Sequence, residues 1–152
     1  MKNRMYLVAL TFIICISAYA NEPKSIKRIP GKNMKIRIIM DTHILTATIY
    51  NNPTARDFVS LLPLSIKLDD YANTEKIFYL PKKLSLQDAP AGMEPSKGDI
   101  TYYAPWGNIA IFYRNFQYAK GLVILGKIDS DISILEKWNK SKEVKIEILK
   151  PE

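Results

Sequence analysis

The chain has few of the side chains that usually hold metals or form covalent intermediates. Its 152 residues include one cysteine, Cys15, and one histidine, His43. A single thiol excludes an intrachain disulfide, and one histidine with one cysteine leaves no zinc cluster of the usual type. A glycine-rich phosphate loop and a G-x-S-x-G nucleophile motif are also missing. The sequence therefore predicts no cofactor, no metal site and no recognisable catalytic residue.

Positive charge is in excess but is not clustered. There are 22 lysines and arginines against 15 acidic residues, and the formal net charge is +7. The nearest approaches to a patch, Lys82-Lys83 and Lys140 with Lys142, are typical of solvated turns. Proteins that bind nucleic acid usually carry a basic stripe with interleaved aromatic residues. We therefore predict no nucleic-acid partner, although weak attraction to anionic components of a cell envelope is compatible with this charge.

The N-terminus has the three parts of a secretory signal peptide. Lys2 and Arg4 precede an apolar run, Met5 to Ile16, and the small residues of Ala18-Tyr19-Ala20 follow. Signal peptidase accepts small residues at these positions, which predicts cleavage after Ala20. The apolar run is shorter than the roughly 20 residues of a transmembrane helix, which disfavours an uncleaved anchor. We expect a periplasmic or secreted protein with no membrane span after cleavage.

Cys15 does not lie in a lipobox, because the bulky Ile14 precedes it, so we do not expect lipidation.

The rest of the chain divides into a short linker and one domain. Residues 21–32 are polar, contain two prolines and a glycine, and have no periodicity, so we predict a flexible linker. Residues 33–152 have the length of a single domain. Nothing in the sequence indicates its oligomeric state.

Alternation of apolar and polar residues predicts strands through most of this domain. A period of two is typical of a strand with one buried face. Polar or glycine-containing turns separate the segments, and the longest irregular stretch is 82–97. Such a long connection in a small domain is usually functional or mobile. The predicted strands are 34–40, 44–50, 65–69, 76–80, 98–103, 108–113, 121–128 and 144–148.

Two segments have the pattern of amphipathic helices. The first begins at Pro53 after an asparagine cap, carries apolar residues at Ala55, Phe58, Val59 and Leu62, and ends before Pro63. The second is predicted over 129–139, with Asp129 or Ser130 as the cap. Many strands with only two helices favour a mainly β protein. We expect a mainly antiparallel barrel whose ends the helices cap.

Three segments resemble the cyclophilin family. Residues 46–58 are similar to the cyclophilin opening, where a strand leads into a helix that begins with proline and buries a phenylalanine. Residues 126–129 resemble the strand end before the last cyclophilin helix. Residues 98–113 are similar to the signature of small bacterial cyclophilin-like proteins that are not established prolyl isomerases. The resemblance implies a closed eight-stranded antiparallel barrel capped by two helices.

The resemblance does not extend to the chemistry of prolyl isomerisation. Cyclophilins use an arginine in a Phe-His-Arg-like strand, but the matching segment here, Lys76 to Leu80, contains none. Rotation about a peptide bond has a barrier of about 18–20 kcal/mol. Without a cationic donor, the transition state of this rotation is stabilised less. We therefore predict a non-catalytic binding domain. The alternative is a prolyl isomerase with a non-standard active site, using Arg114 or Arg37 as the donor.

A block of aromatic residues surrounds the turn at 104–107. One interpretation is ordinary core and cross-strand packing, because aromatic residues are common in strands. The other is a shallow groove for a peptide or small-molecule ligand, because tyrosine and tryptophan combine an apolar body with a polar tip. An exposed tryptophan in a tight turn favours the second interpretation. The predicted ligand-binding residues are Tyr103, Pro105, Trp106, Asn108, Phe112 and Arg114.

Overall fold

A computed structural model describes residues 31–150 of the chain. The predicted signal peptide, its cleavage site and residues 21–30 of the predicted linker lie outside the described residues. Ten strands and two helices occur in the described part. The helices are α1 (Pro53–Val59) and α2 (Ser133–Lys137). The strands are β1 (Met34–Met40), β2 (His43–Ile49), β3 (Leu64–Tyr71), β4 (Glu75–Tyr79), β5 (Gly92–Met93), β6 (Asp99–Tyr103), β7 (Asn108–Phe112), β8 (Ala119–Lys120), β9 (Leu122–Ile128) and β10 (Lys142–Ile148).

Eight of the strands form a closed barrel in the order β1-β10-β3-β4-β7-β6-β9-β2. Every neighbouring pair is antiparallel. The remaining two, β5 and β8, pair with each other as a small separate sheet. This confirms the prediction of a mainly β protein built on a closed, eight-stranded antiparallel barrel. Neither helix is long and apolar enough to cross a membrane, within residues 31–150.

The β1–β2 hairpin shows how the sequence pattern sets the inner and outer faces. Ile38 lies opposite Leu45, and Ile36 lies opposite Ala47. All four are buried in the main core cluster. Asp41 occupies the turn with a φ of 51°, a left-handed conformation that aspartate tolerates better than most residues. The alternation therefore places one side chain in two inside the barrel, as predicted.

Helix α1 begins as predicted but ends earlier. The Asn52 side chain accepts a 2.8 Å hydrogen bond from the backbone N–H of Ala55, and Pro53 follows the cap. The last α-helical residue is Val59, not Leu62. Proline disfavours the α conformation in the residue before it, so Pro63 acts on Leu62. The backbone N–H of Leu62 bonds to the carbonyl of Val59 at 3.1 Å, which tightens the final turn.

Helix α2 is much shorter than the predicted helix over 129–139, and the predicted caps were wrong. Asp129 instead accepts hydrogen bonds from the Thr48 hydroxyl at 2.9 and 3.0 Å. The Ser130 hydroxyl accepts a 3.1 Å bond from the backbone N–H of Thr46. Both side chains therefore bind the neighbouring strand β2 before the helix begins. The backbone N–H of Ser133 bonds to Asp131 at 2.9 Å.

Candidate functional site

The outer face of three strands carries a second apolar cluster. Ile77 of β4, Ala110 and Phe112 of β7, and Leu122 of β9 are buried there, separate from the core inside the barrel. Met93 of β5 and Ala119 of β8 pack against this cluster. The small sheet therefore shields an outer surface that would otherwise face solvent. Strands β4 and β7 consequently bury side chains on both of their faces.

A cavity of about 230 Å³ opens beside this outer cluster. Five aromatic side chains contribute to its walls, together with alanine, threonine and leucine residues. Two further lining residues, Glu75 and Asn108, carry a carboxylate and an amide. The residues that line the cavity are Tyr71, Ala72, Thr74, Glu75, Tyr103, Trp106, Asn108, Ala110, Phe112, Phe116, Ala119 and Leu122.

Strand register places the key side chains in two rows across the sheet. Glu75 lies directly opposite Tyr71 of β3 on one side and opposite Phe112 of β7 on the other. Asn108 lies opposite Tyr103 of β6. Directly opposed residues in antiparallel strands share a face and bring their Cβ atoms to about 4.5–5.5 Å. Two short rows of side chains thus project from the same face.

Ala110 lies on β7 between the two rows. Its strand partners are Ile77 of β4 and Thr101 of β6. Because alternate residues of a strand point to one face, Ala110 shares its face with Asn108 and Phe112. Its methyl side chain leaves space where a larger residue would fill the cavity. We therefore identify Ala110 as part of the floor.

Trp106 lies in the turn between β6 and β7 and bridges the two rows. Its ring centroid is 5.6 Å from that of Tyr71 and 5.4 Å from that of Tyr103. The interplanar angles are 87° and 79°, so both contacts are edge-to-face. Gly107 has a φ of 75°, and its N–H bonds to the Tyr103 carbonyl at 2.9 Å, which closes the turn. Trp106 is 51% exposed despite these contacts.

Asn108 contributes a buried acceptor that has no partner. The residue is 1% exposed, and its amide nitrogen donates a 3.3 Å hydrogen bond to the carbonyl of Ile109. Its side-chain oxygen, Oδ1, has no hydrogen bond within the part of the chain that the structure describes. An unsatisfied buried acceptor costs about 1–3 kcal/mol.

Glu75 is the charged residue of the lining, and it is half-buried. Burial raises the pKa of its carboxyl group from 4.5 to about 7. No residue between 31 and 150 gives this carboxylate a hydrogen bond or an ion pair that would oppose the shift. The group therefore changes its charge close to neutral pH.

The structure brings together four of the six predicted ligand-binding residues. Tyr103, Trp106, Asn108 and Phe112 line the cavity. Pro105 belongs to the same turn but is exposed and outside the lining.

Arg114, the remaining predicted residue, is also outside the cavity. Strand β7 ends at Phe112, so the expected alternation between Phe112 and Arg114 does not continue. The Arg114 guanidinium lies 5.8 Å from the ring centroid of Tyr113. Arg114 thus lies outside the lining of this cavity, and its part in ligand binding stays a prediction.

Sequence reasoning missed Tyr71, Glu75, Ala110 and Phe116. The predicted fourth strand began at residue 76, whereas β4 begins at Glu75 and β3 extends to Tyr71. These two residues form the last pair before the β3–β4 turn. Extending the predicted strand by one residue towards the N-terminus would have placed Glu75 on the same outward face as Ile77 and Tyr79.

Strand β4 carries one cation, Lys76, whose side chain is outside the cavity lining. The Lys76 side chain is 3% exposed. Its ammonium donates to the Asp70 carboxylate and to the backbone carbonyl of Trp138. It also lies 4.9 Å from the ring centroid of Tyr113. Lys76 therefore takes part in a buried network inside the barrel.

The arginines of residues 31–150 are engaged elsewhere. Arg37 forms an ion pair with Glu147. Arg56 donates a 3.0 Å hydrogen bond to the Asn51 side chain. Neither residue lines the cavity, and Arg114 does not either. The geometry thus places no guanidinium from this part of the chain beside the aromatic walls.

Comparison with known proteins is consistent with the barrel. The solution structure of a hypothetical protein from Archaeoglobus fulgidus superposes with a TM-score of 0.55 at 17% identity, covering 76% of this chain and 94% of that chain. At this identity the likeness concerns the fold alone. No curated protein matches the sequence. The model of the Cyclophilin-like family matches residues 38–147. The chain therefore belongs to the Cyclophilin-like family.

Proposed function

We propose that this protein is an exported, non-catalytic binding module, which holds a small molecule or a single peptide side chain in the outer-face cavity. The observation that carries the proposal is the pairing of aromatic walls with the Glu75 carboxyl group in one cavity. Ligand sites are typically apolar cavities with a few convergent polar groups. The cavity has both components.

The dimensions of the cavity favour a small occupant. Its volume of about 230 Å³ is below the roughly 300–1,000 Å³ of pockets that enclose drug-sized ligands. Only one side chain of a peptide, or a compact molecule, would fit among the rings. Trp106, at 51% exposure, would lose exposed area when such a group enters.

Export and the capping role of the helices belong to the same proposal. The signal-peptide pattern at 1–20 supports export, and detection of a mature chain beginning at Asn21 in the periplasmic or secreted fraction would test it. Ala55 and Phe58 of α1 and Leu135 of α2 are buried in the same cluster as the barrel interior. These contacts support closure of the barrel by the helices.

Prolyl isomerisation receives no comparable support. That reaction would need a cationic donor beside the bound peptide, and the described arginines lie outside the cavity. A protease-coupled assay on a proline-containing peptide is the direct check. Catalysis above background that disappears in Arg114→Ala would replace the binding proposal with the isomerase alternative.

Saturation-transfer NMR with defined probes tests binding. The probes are indole and the N-acetyl amides of phenylalanine, leucine and lysine, each measured against the wild-type protein and Ala110→Leu. We expect at least one probe to bind the wild type and to lose its signal in Ala110→Leu, because leucine fills the floor. Far-ultraviolet circular dichroism checks that the variant is folded. Equal signals for both proteins would refute the cavity as the binding site.

A further inference from the structure

The charge of the cavity is opposite in sign to that of the protein. The chain carries a formal net charge of +7, yet Glu75 is the one charged side chain among the residues that line the cavity. Its carboxylate has no ion-pair partner within residues 31–150. Most other acidic groups around the barrel do have one, as in the Lys82–Asp57 and Lys97–Glu136 pairs. Other acidic residues between 31 and 150 also lack an ion pair, but Glu75 is the one among them that lines the cavity.

The aromatic walls stand at angles suited to enclosing a compact group. Trp106 is nearly perpendicular to both Tyr71 and Tyr103. Rings at right angles offer more than one aromatic surface to a single guest, as in the aromatic cages that bind quaternary ammonium groups. The ring face is the negative part of its quadrupole. The walls therefore attract positive charge.

Strand register places the carboxylate among the rings. Glu75 is the direct cross-strand neighbour of Tyr71 and of Phe112. A cation held against these rings would lie close to the carboxylate as well. The unpartnered Oδ1 of Asn108 adds a partial negative charge to the same lining. Ring faces, carboxylate and amide oxygen therefore all favour one kind of guest.

The protein already uses the same contact elsewhere. Apart from Lys76 on Tyr113, the ammonium of Lys142 lies 5.4 Å from the ring centroid of Trp138. Distances up to about 6 Å are typical of cation–π contacts. Within residues 31–150, the cavity aromatics have no such partner from the chain itself.

We propose that the cavity is selective for an organic ammonium group, which the rings of Tyr71, Tyr103 and Trp106 surround and the Glu75 carboxylate neutralises. This rests on the proposed binding function and names the ligand class. The ammonium group can belong to a free quaternary amine or to a lysine side chain of a peptide. Both sources share the chemistry that the cavity recognises.

Isothermal titration with matched probes tests the proposal. Choline is compared with 3,3-dimethyl-1-butanol, its uncharged isostere, and N-acetyl-lysine amide represents the peptide source. We expect choline or the lysine amide to bind wild-type protein at least about tenfold more tightly than the isostere, since the contacts with rings and carboxylate both require the charge. Binding by choline alone identifies a free amine, and binding by the lysine amide alone identifies a side chain.

Two variants separate the carboxylate from a general charge effect. Glu75→Gln keeps the shape of the side chain and removes its charge, so we expect about tenfold weaker choline binding. Glu143→Gln makes the same charge change at an exposed position outside the cavity, and binding should be unchanged. If Glu75→Gln does not fold, the comparison of choline with its isostere on wild-type protein decides.

The outcomes distinguish this inference from the proposed function. Equal affinity for choline and its isostere overturns the inference, but the binding function stands if Ala110→Leu abolishes both. Failure of choline and the lysine amide, while indole binds, also overturns the inference alone. Failure of every probe, including indole and the amino-acid amides, overturns both proposals.

Discussion

Tyr113 donates a 2.7 Å hydrogen bond to the same Asp70 oxygen that accepts from the buried ammonium of Lys76. Burial by itself would raise the pKa of Asp70, but the hydrogen bonds from Lys76 and Tyr113 outweigh it and lower that pKa. The pKa of Tyr113 is raised to about 12, first by burial and then by its hydrogen bond to Asp70. One carboxylate thus satisfies two buried donors.

We predict that Asp70→Asn destabilises the fold by about 3–5 kcal/mol, because the buried Lys76 ammonium loses its counter-ion. Urea denaturation at pH 7 measures the change. Asp88→Asn is the matched control, since Asp88 is exposed and its positive φ of 58° suits asparagine. Equal unfolding midpoints for the two variants would contradict a structural role for the Asp70 network.

The raised pKa of Glu75 predicts a pH-dependent stability. The unfolded carboxyl group loses its proton near pH 4.5 and the folded one near pH 7, so ionisation of Glu75 progressively destabilises the fold over this interval. Glu75→Gln removes the effect. We expect the variant to gain stability over wild type between pH 5 and pH 8, by at most about 2–3 kcal/mol.

Denaturant unfolding curves of both proteins at pH 5 and pH 8 measure this difference. Glu143→Gln, which changes an exposed carboxylate, should give the same difference from wild type at both pH values. If the Glu75→Gln difference is also independent of pH, the carboxyl group of Glu75 ionises normally in the folded protein.

Choline binding should depend on pH in the same region. The ionised form of Glu75 attracts the cation, so binding should tighten as the pH rises towards 7 and then level off. The other titratable side chains of the lining are the phenols of Tyr71 and Tyr103. Titrations at pH 5.5, 7 and 8.5 test this. An affinity for choline that does not vary with pH would show that the charge of Glu75 does not contribute to binding.

Trp106→Ala should reduce binding far more than stability. The side chain is 51% exposed, so its removal costs little core packing, but it removes the ring that bridges Tyr71 and Tyr103. We expect loss of the thermal shift that a saturating probe produces. Tyr79→Ala is the control, because Tyr79 is 60% exposed and lies on the same face of β4 as Glu75, but outside the cavity lining. A probe-induced shift that survives in Trp106→Ala would exclude that ring from the site.

The cap of α1 predicts a moderate effect on stability. Asn52→Ala removes the 2.8 Å bond to the N–H of Ala55 and a second bond, at 2.9 Å, to the carbonyl of Ile124 on β9. We expect a loss of about 1–2 kcal/mol. Asn51→Ala, at the exposed neighbouring position, serves as the comparison in thermal unfolding. A cap that contributed nothing would give both variants the same midpoint.

The barrel could be predicted because the pattern that specifies each strand lies within a short segment of the sequence. Alternation in residues such as Ile36, Ile38, Leu45 and Ala47 sets the inner face of each strand without knowledge of its neighbours. The prediction of the start of the second helix was wrong for the opposite reason. Asp129 and Ser130 are good caps in isolation, but β2 offers them a hydroxyl and a backbone N–H from more than 80 residues away along the chain. Tertiary contacts decided between two local possibilities.

The same distinction applies to the site. Tyr103, Trp106, Asn108 and Phe112 could be predicted because they lie on one hairpin, where turn and alternation are visible in the sequence. Glu75 meets Phe112 only through the pairing of β4 with β7, which no period in the sequence specifies. The carboxylate was therefore missed although its aromatic partner was found.

Strands β4 and β7 have packed side chains on both faces, so the base of the cavity is as firmly held as the centre of the protein. Trp106 and Phe116, by contrast, stand on connecting segments and are 51% and 43% exposed. Under the proposed binding function, adaptation to ligands of different size would fall to these two rings. Exchanges at either ring should retune which guest is accepted while the barrel keeps its melting temperature.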